Sequence, residues 1–320
     1  MSSTENETAY ITPSSPAVAV QRTHAVEVGQ DSPTQTTGKI ERVSYTLRYP
    51  KFDPNYIQRV KRGLNEHDFY TRGIQNKDNF LLSGDAGTGK TTSAEQLAAR
   101  LGRPFVRIEM HHELNLSHTE GRLMPKPEGG FFWLESELAT AIQQPSVILL
   151  NELSRALQGN ETLFLGLLNE RQLLIQQLNE CIEVHPECIF IADQNVGSYY
   201  VGTRKQDSAL LDRFGCKIDF DYDPEIEAKL IPSPSLLELA NSLRFLHKDN
   251  PAKHPTRVGL RMLKNFVKHA PTYNFGFAVD RFVANFAEAE REAVALQFEP
   301  RYMNIAKELG VDLGNYADTL

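Results

Sequence analysis

The chain has 320 residues, a formal net charge of -7 and 41% hydrophobic residues. That length supports one large core or two smaller ones. The acidic balance gives no general attraction to nucleic acid or to an anionic membrane surface. No apolar run approaches the roughly 18 residues that a membrane span needs, and the N-terminus lacks the basic-then-apolar order of a secretion signal. Three scattered cysteines, Cys181, Cys188 and Cys216, carry no metal-ligand spacing, which predicts reduced thiols and a cytoplasmic location.

Residues 1–38 are rich in Ser, Thr, Pro, Gln and Glu without helical periodicity, and are expected to form a disordered tail. A short strand is predicted at Val43–Leu47 and a helix from Pro54 to Tyr70. From residue 79 to about 222 short apolar runs alternate with helical patterns, with strands expected at 79–83, 104–109, 146–150, 188–193 and 216–220. This alternation predicts an α/β core over residues 39–222, a parallel sheet covered on both faces in three layers. After Pro224 only helical patterns remain, punctuated by Pro232, Pro234, Pro251, Pro255 and Pro271. Residues 223–320 are therefore expected to form a smaller all-α subdomain.

The most specific signal is Gly84-Asp85-Ala86-Gly87-Thr88-Gly89-Lys90-Thr91-Thr92. It fits the phosphate-loop pattern G-x-x-x-x-G-K-[ST], in which glycines let successive backbone N–H groups turn toward phosphate oxygens. Lys90 supplies a point charge near the β and γ phosphates, and Thr91 a hydroxyl for Mg²⁺. The context matches: an apolar run, Asn79–Ser83, leads in, and an amphipathic helix leads out until Gly102. The helix N-terminus adds its dipole to anion binding.

A second apolar run, Ser146–Leu150, ends in Asn151-Glu152. In phosphate-loop proteins an Asp at the first of these positions helps to hold Mg²⁺. Asn151 keeps an oxygen ligand but loses the charge, so weaker Mg²⁺ binding is expected. Glu152 is a candidate general base for an attacking water.

Together these residues resemble the AAA+ ATPases, in particular the MoxR-type branch of CbbQ-, NorQ- and GvpN-like proteins, from about residue 55 to 270. Asn151–Ala156 looks like that branch's DE-x-x-RA segment apart from the Asn. Glu161–Leu174 looks like the following helix, which ends in an acid and a short hairpin. His185–Asn195 looks like the fourth core strand, whose polar sensor residue is here Asn195. Ala209–Phe214 looks like the L-x-D-R-F segment, and Pro255-Thr256-Arg257 looks like the start of a lid helix carrying a second sensor arginine. Gly121–Ile142 looks like an insertion whose hairpin projects toward a ring pore, with Phe131-Phe132-Trp133 beside the turn. A packed aromatic under a loop remains an equal alternative for Trp133.

The resemblance implies ATP and Mg²⁺ as cofactors and a homo-oligomeric, commonly hexameric, ring. It also implies a protein client, in this branch often one with a von Willebrand A domain. Glu152 and Asn195 would handle the water, Arg213 would reach the nucleotide of the neighbouring subunit, and Arg257 or its rival Arg261 would report the γ-phosphate to the lid. A ring-forming remodelling ATPase is thus the leading expectation. Two alternatives stay open: a nucleic-acid motor or loader, with Arg122 and Lys126 as hairpin cations, and a slow, nucleotide-dependent scaffold, favoured by Asn151. No base-reading segment separates ATP from GTP.

Overall fold

The computed structural model describes residues 40–110, 114–155, 163–195 and 208–313. The expected tail over residues 1–38 lies outside the described residues.

The first elements are a short strand β1 (Glu41–Val43), a two-strand hairpin β2 (Val60–Lys61) and β3 (Leu64–Asn65), and helix α1 (Glu66–Gln75). Here the expected helix over 54–70 gives way. Arg62 and Gly63 both adopt positive φ, 51° and 76°, the signature of a two-residue hairpin turn. Asn65 then starts α1 by accepting a hydrogen bond from the Asp68 N–H. The strand expected at 43–47 is shorter and lies earlier, at Glu41–Val43.

The core follows as β4 (Phe80–Gly84), α2 (Lys90–Leu101), β5 (Phe105–Glu109), α3 (Leu116–Thr119), hairpin strands β6 (Gly121–Pro125) and β7 (Phe131–Glu135), α4 (Glu137–Ile142) and β8 (Val147–Asn151). A second hairpin, β9 (Gln172–Ile175) and β10 (Glu180–Glu183), leads to β11 (Ile189–Gln194), α5 (Ser208–Leu211) and β12 (Cys216–Phe220). The five expected core strands are β4, β5, β8, β11 and β12, displaced by no more than a residue at each end. They form one parallel sheet in the order β12-β4-β11-β8-β5.

Burial explains that order. All five residues of β8 are buried, whereas the edge strand β12 exposes Lys217 and Asp219. One sheet face carries Phe80, Leu82, Val147, Leu149, Ile189 and Ile191 against Tyr70, Ala94, Leu97 and Ala98 of α1 and α2. The other carries Val106, Ile148, Leu150 and Phe190 against Leu138, Ile142, Phe164 and Phe214. The result is the three-layer α/β core that continuous apolar strands require.

Among the described residues six helices follow: α6 (Pro224–Leu230), α7 (Pro234–Asp249), α8 (Leu260–Thr272), α9 (Phe275–Val283), α10 (Glu288–Phe298) and α11 (Tyr302–Leu309), with one turn of 3₁₀ helix before α11. Asp223-Pro224 and Ser233-Pro234 are N-cap and first-turn pairs. A separate all-α core gathers Leu239, Leu263, Phe266, Phe275, Phe282 and Phe298, with Phe266 edge-on to Phe275 and Phe282.

The insertion forms the expected hairpin. Strands β6 and β7 pair antiparallel around Gly129 and Gly130, at φ 96° and 84°, and β1 adds to β7 in parallel. Trp133 is 1% exposed within the core, while Phe131 beside the turn is 63% exposed. The indole is therefore a packing residue. We expect Trp133→Ala to cost about 3–5 kcal/mol and Phe131→Ala to stay within about 0.5 kcal/mol, as read by urea denaturation.

Candidate nucleotide site

The loop between β4 and α2 owes its path to glycine. Gly84, Gly87 and Gly89 have φ of 154°, 79° and 93°. A Cβ on Gly84 would collide with the Phe220 carbonyl of the adjacent strand β12, and one on Gly87 would come within 2.9 Å of Gly259 Cα. Thr88 Oγ1 closes the loop by donating to the Asp85 carbonyl at 2.9 Å. From the N-terminal side Arg59 donates to the Thr88 carbonyl and stacks over Phe220 at 4.4 Å. Tyr222 donates to the Ala86 carbonyl at 2.9 Å.

Lys90 opens α2 with its ammonium turned into the loop. Nζ donates to the Gly84 and Asp85 carbonyls, both at 2.8 Å, and to Asn195 Oδ1 at 2.9 Å. Burial pulls its pKa down, while Asp193 and Asp85 act in the opposite direction.

At the ends of three adjacent strands stands a polar row. Asn151 of β8 pairs in register with Glu109 of β5 and donates Nδ2–H to Glu109 Oε2 at 2.6 Å. On the other flank, Asp193 Oδ1 of β11 accepts the Glu152 N–H at 2.6 Å. Burial pushes the Asp193 carboxyl up. Glu152 is held at φ 57°, an uncommon left-handed conformation for its type, and its carboxylate pairs with Arg155 at 3.0 Å.

These groups surround a cavity of about 560 Å³, within the range of small-molecule sites. The structure gathers Ala86, Gly87, Gly89, Lys90, Thr91, Thr92, Asn151, Glu152 and Asn195 around it. Sequence reasoning did not single out Asp193, Arg107, Lys264 or Asn265, which also line it. Arg213 lies outside this lining and is exposed. Arg257 precedes α8 rather than riding on it, because Gly259 caps that helix. Its Nε–H donates to His247 Nε2 at 2.9 Å, although its charge still reaches Lys90. Arg261, on the first turn of α8, lines the cavity.

The glycine cradle, the buried ammonium and the cavity fit the phosphates of a nucleotide. Among the described residues no group of three His, Cys, Asp or Glu side chains is placed to hold a metal. A cation here would need phosphate oxygens and water beside Thr91 and the polar row, which is how Mg²⁺ binds.

Fold and site together define a phosphate-loop nucleotide-binding protein of α/β core and helical lid. Residues 79–214 match the family described as AAA domain (dynein-related subfamily). The chain is 24% identical over 198 residues to Protein CbbQ of Hydrogenophilus thermoluteolus, covering 61% of this chain and 73% of that one. It is 33% identical over 184 residues to the gas vesicle ATPase GvpN of Ancylobacter aquaticus, covering 51% of each. Protein NorQ of Paracoccus denitrificans is 28% identical over 165 residues, covering 51% of this chain and 60% of NorQ. The match thus spans between half and about three quarters of these relatives. Residues 79–214 thus form an AAA domain, and the chain is similar to the MoxR-type AAA+ ATPases CbbQ, NorQ and GvpN.

The two lid arginines separate on geometry. We expect Arg261→Ala to weaken nucleotide affinity about tenfold, the scale of one lost hydrogen bond to a charged group. Arg257→Ala should weaken it less. Titration with a fluorescent nucleotide measures both.

Proposed function

We propose that the protein is a ring-forming ATPase that couples ATP binding and hydrolysis to remodelling of a protein partner. The observation that carries this reading is the position of Arg213. It follows the last core helix, is exposed and lies outside its own cavity lining. Among the described residues its side chain has no ion-pair partner, Asp212 included. A guanidinium so placed is available to the γ-phosphate of a neighbouring copy, where it would offset charge developing during phosphoryl transfer.

Within one subunit the roles follow from placement. Gly84 to Thr92 bind phosphate through backbone N–H groups, and Lys90 adds its charge. Thr91, Asn151 and the carboxylates beside them present the hard oxygen donors that suit Mg²⁺, which when bound would neutralise phosphate charge. Glu152 acts as general base toward water once released from Arg155, and Asn195 orients that water. Arg257 and Arg261 lie before and on the first turn of the lid helix, so they report the phosphates to the α-helical subdomain. The contact of Gly87 with Gly259 passes loop movement to the lid directly.

A client protein rather than nucleic acid is favoured by the acidic net charge and by Lys126, whose ammonium is already paired with Glu41 at 2.5 Å. Asn151 supports a slower enzyme that uses ATP also to assemble. Among the described residues no helix is long and apolar enough to cross a membrane.

Phosphate release measured across protein concentration, with light scattering for mass, tests the reading. Turnover per chain should rise as assemblies form. Lys90→Ala should abolish nucleotide binding, and an unchanged ATPase rate in that variant would end the proposal. Arg213→Ala should bind ATP normally but lose turnover by about 10³-fold or more, the scale of an arginine finger.

A further inference from the structure

Asn151 leaves the expected metal-holding position without charge, yet the site does not lack carboxylates. In the parallel sheet Ala192 of β11 pairs with Leu150 of β8. The next residues along the two strands, Asp193 and Asn151, therefore lie side by side. Both continue the face of Ile189, Ile191, Val147 and Leu149, the face that packs on α2. Asp193 stands one strand over from the usual carboxylate position, on the same side of the sheet.

Its bonding is incomplete. Asp193 is 4% exposed and lines the cavity. Oδ1 accepts the Glu152 N–H, but among the described residues Oδ2 has no hydrogen-bond partner and no cation lies within ion-pair distance. The charge of Lys90 reaches this carboxylate without a direct ion pair, which leaves Oδ2 open toward the cavity for a cation. Lys90 is committed to two carbonyls and Asn195. The other flanking carboxylate, Glu109, is already engaged by Arg107 and by the Asn151 amide. That second bond also turns the Asn151 amide, leaving Oδ1 as its remaining acceptor.

We propose that Asp193, rather than a residue of β8, supplies the protein carboxylate for the Mg²⁺ of the bound nucleotide, with Asn151 beside it as a neutral oxygen donor. This rests on the nucleotide-binding reading above.

Asp193→Asn tests it, because Asn keeps the acceptor for the Glu152 N–H and removes only the charge. Mn²⁺ serves as the probe: it is titrated into protein with ADP, free Mn²⁺ is read by electron paramagnetic resonance, and ADP binding is measured separately in EDTA. Asp193→Asn should weaken Mn²⁺ binding about ten- to a hundredfold, the scale found for partners of a metal site. Metal-free ADP binding should be unchanged or tighter, which also shows that the variant folds. Adding Asn151→Asp to that variant should recover Mn²⁺ affinity by returning a carboxylate to the row. Wild-type Mn²⁺ affinity in Asp193→Asn would overturn the inference. So would a double variant that binds metal-free ADP yet holds Mn²⁺ as weakly as Asp193→Asn. Absence of ADP binding by the wild-type protein, with or without metal, would instead overturn the nucleotide reading itself and this inference with it.

Discussion

The phosphate loop runs so close to two other stretches of backbone that neither contact point tolerates a side chain. Gly84 lies against the Phe220 carbonyl, and Gly87 against Gly259. The loop is thus held between the edge strand of the sheet and the residue that caps the lid helix. Side chains close the same circuit. Tyr222 bonds the Ala86 carbonyl, Arg244 lies over the Tyr222 ring at 3.6 Å, and Arg244 Nε donates to the Val258 carbonyl at 2.8 Å, next to Gly259. Arg244 is itself fixed by two bonds to Glu227, each 2.7 Å. Loop, edge strand and lid form one packed unit, so a change in loop position cannot stay local.

Electrostatics impose the second constraint. A buried ammonium needs acceptors and opposite charge, and Lys90 obtains acceptors from carbonyls and Asn195 and charge from Asp193 and Asp85. The same Asp193 takes the Glu152 N–H, which helps to hold Glu152 in its left-handed conformation. The left-handed backbone of Glu152 is therefore tied to the carboxylate that balances the charge of Lys90. Arg155 restrains the Glu152 carboxylate from the other side. Two separate contacts thus hold Glu152, one on its backbone and one on its carboxylate.

The strands of the core were legible because each is a short apolar run bounded by turn residues or by a helical pattern. The phosphate loop was legible because its glycines do work that no other residue type does. What escaped reading depended on partners distant in the chain. The pattern over residues 54–70 suits a helix, and only the Arg62-Gly63 turn diverts it into a hairpin. Pro255 suggested a helix start that Gly259, which caps through its backbone alone, delays to Leu260. Asp193 was read as part of an apolar strand leading to Asn195. Its meaning appears only when β8 and β11 are placed in register, which local sequence does not encode.

The polar row also has a far side. Glu109, which accepts the Asn151 amide, pairs with Arg107, and Arg107 lines both the nucleotide cavity and a second cavity of about 390 Å³. That second cavity is walled by Arg122 and Leu134 of the β6–β7 hairpin and by His118 of α3. The neutral Asn151 matters here in a way that an Asp would not. An amide donates to Glu109, whereas a carboxylate in its place would repel it. The amide that leaves the end of β8 without a charge also provides the bond that joins the row to Glu109 and, through Arg107, to the hairpin side.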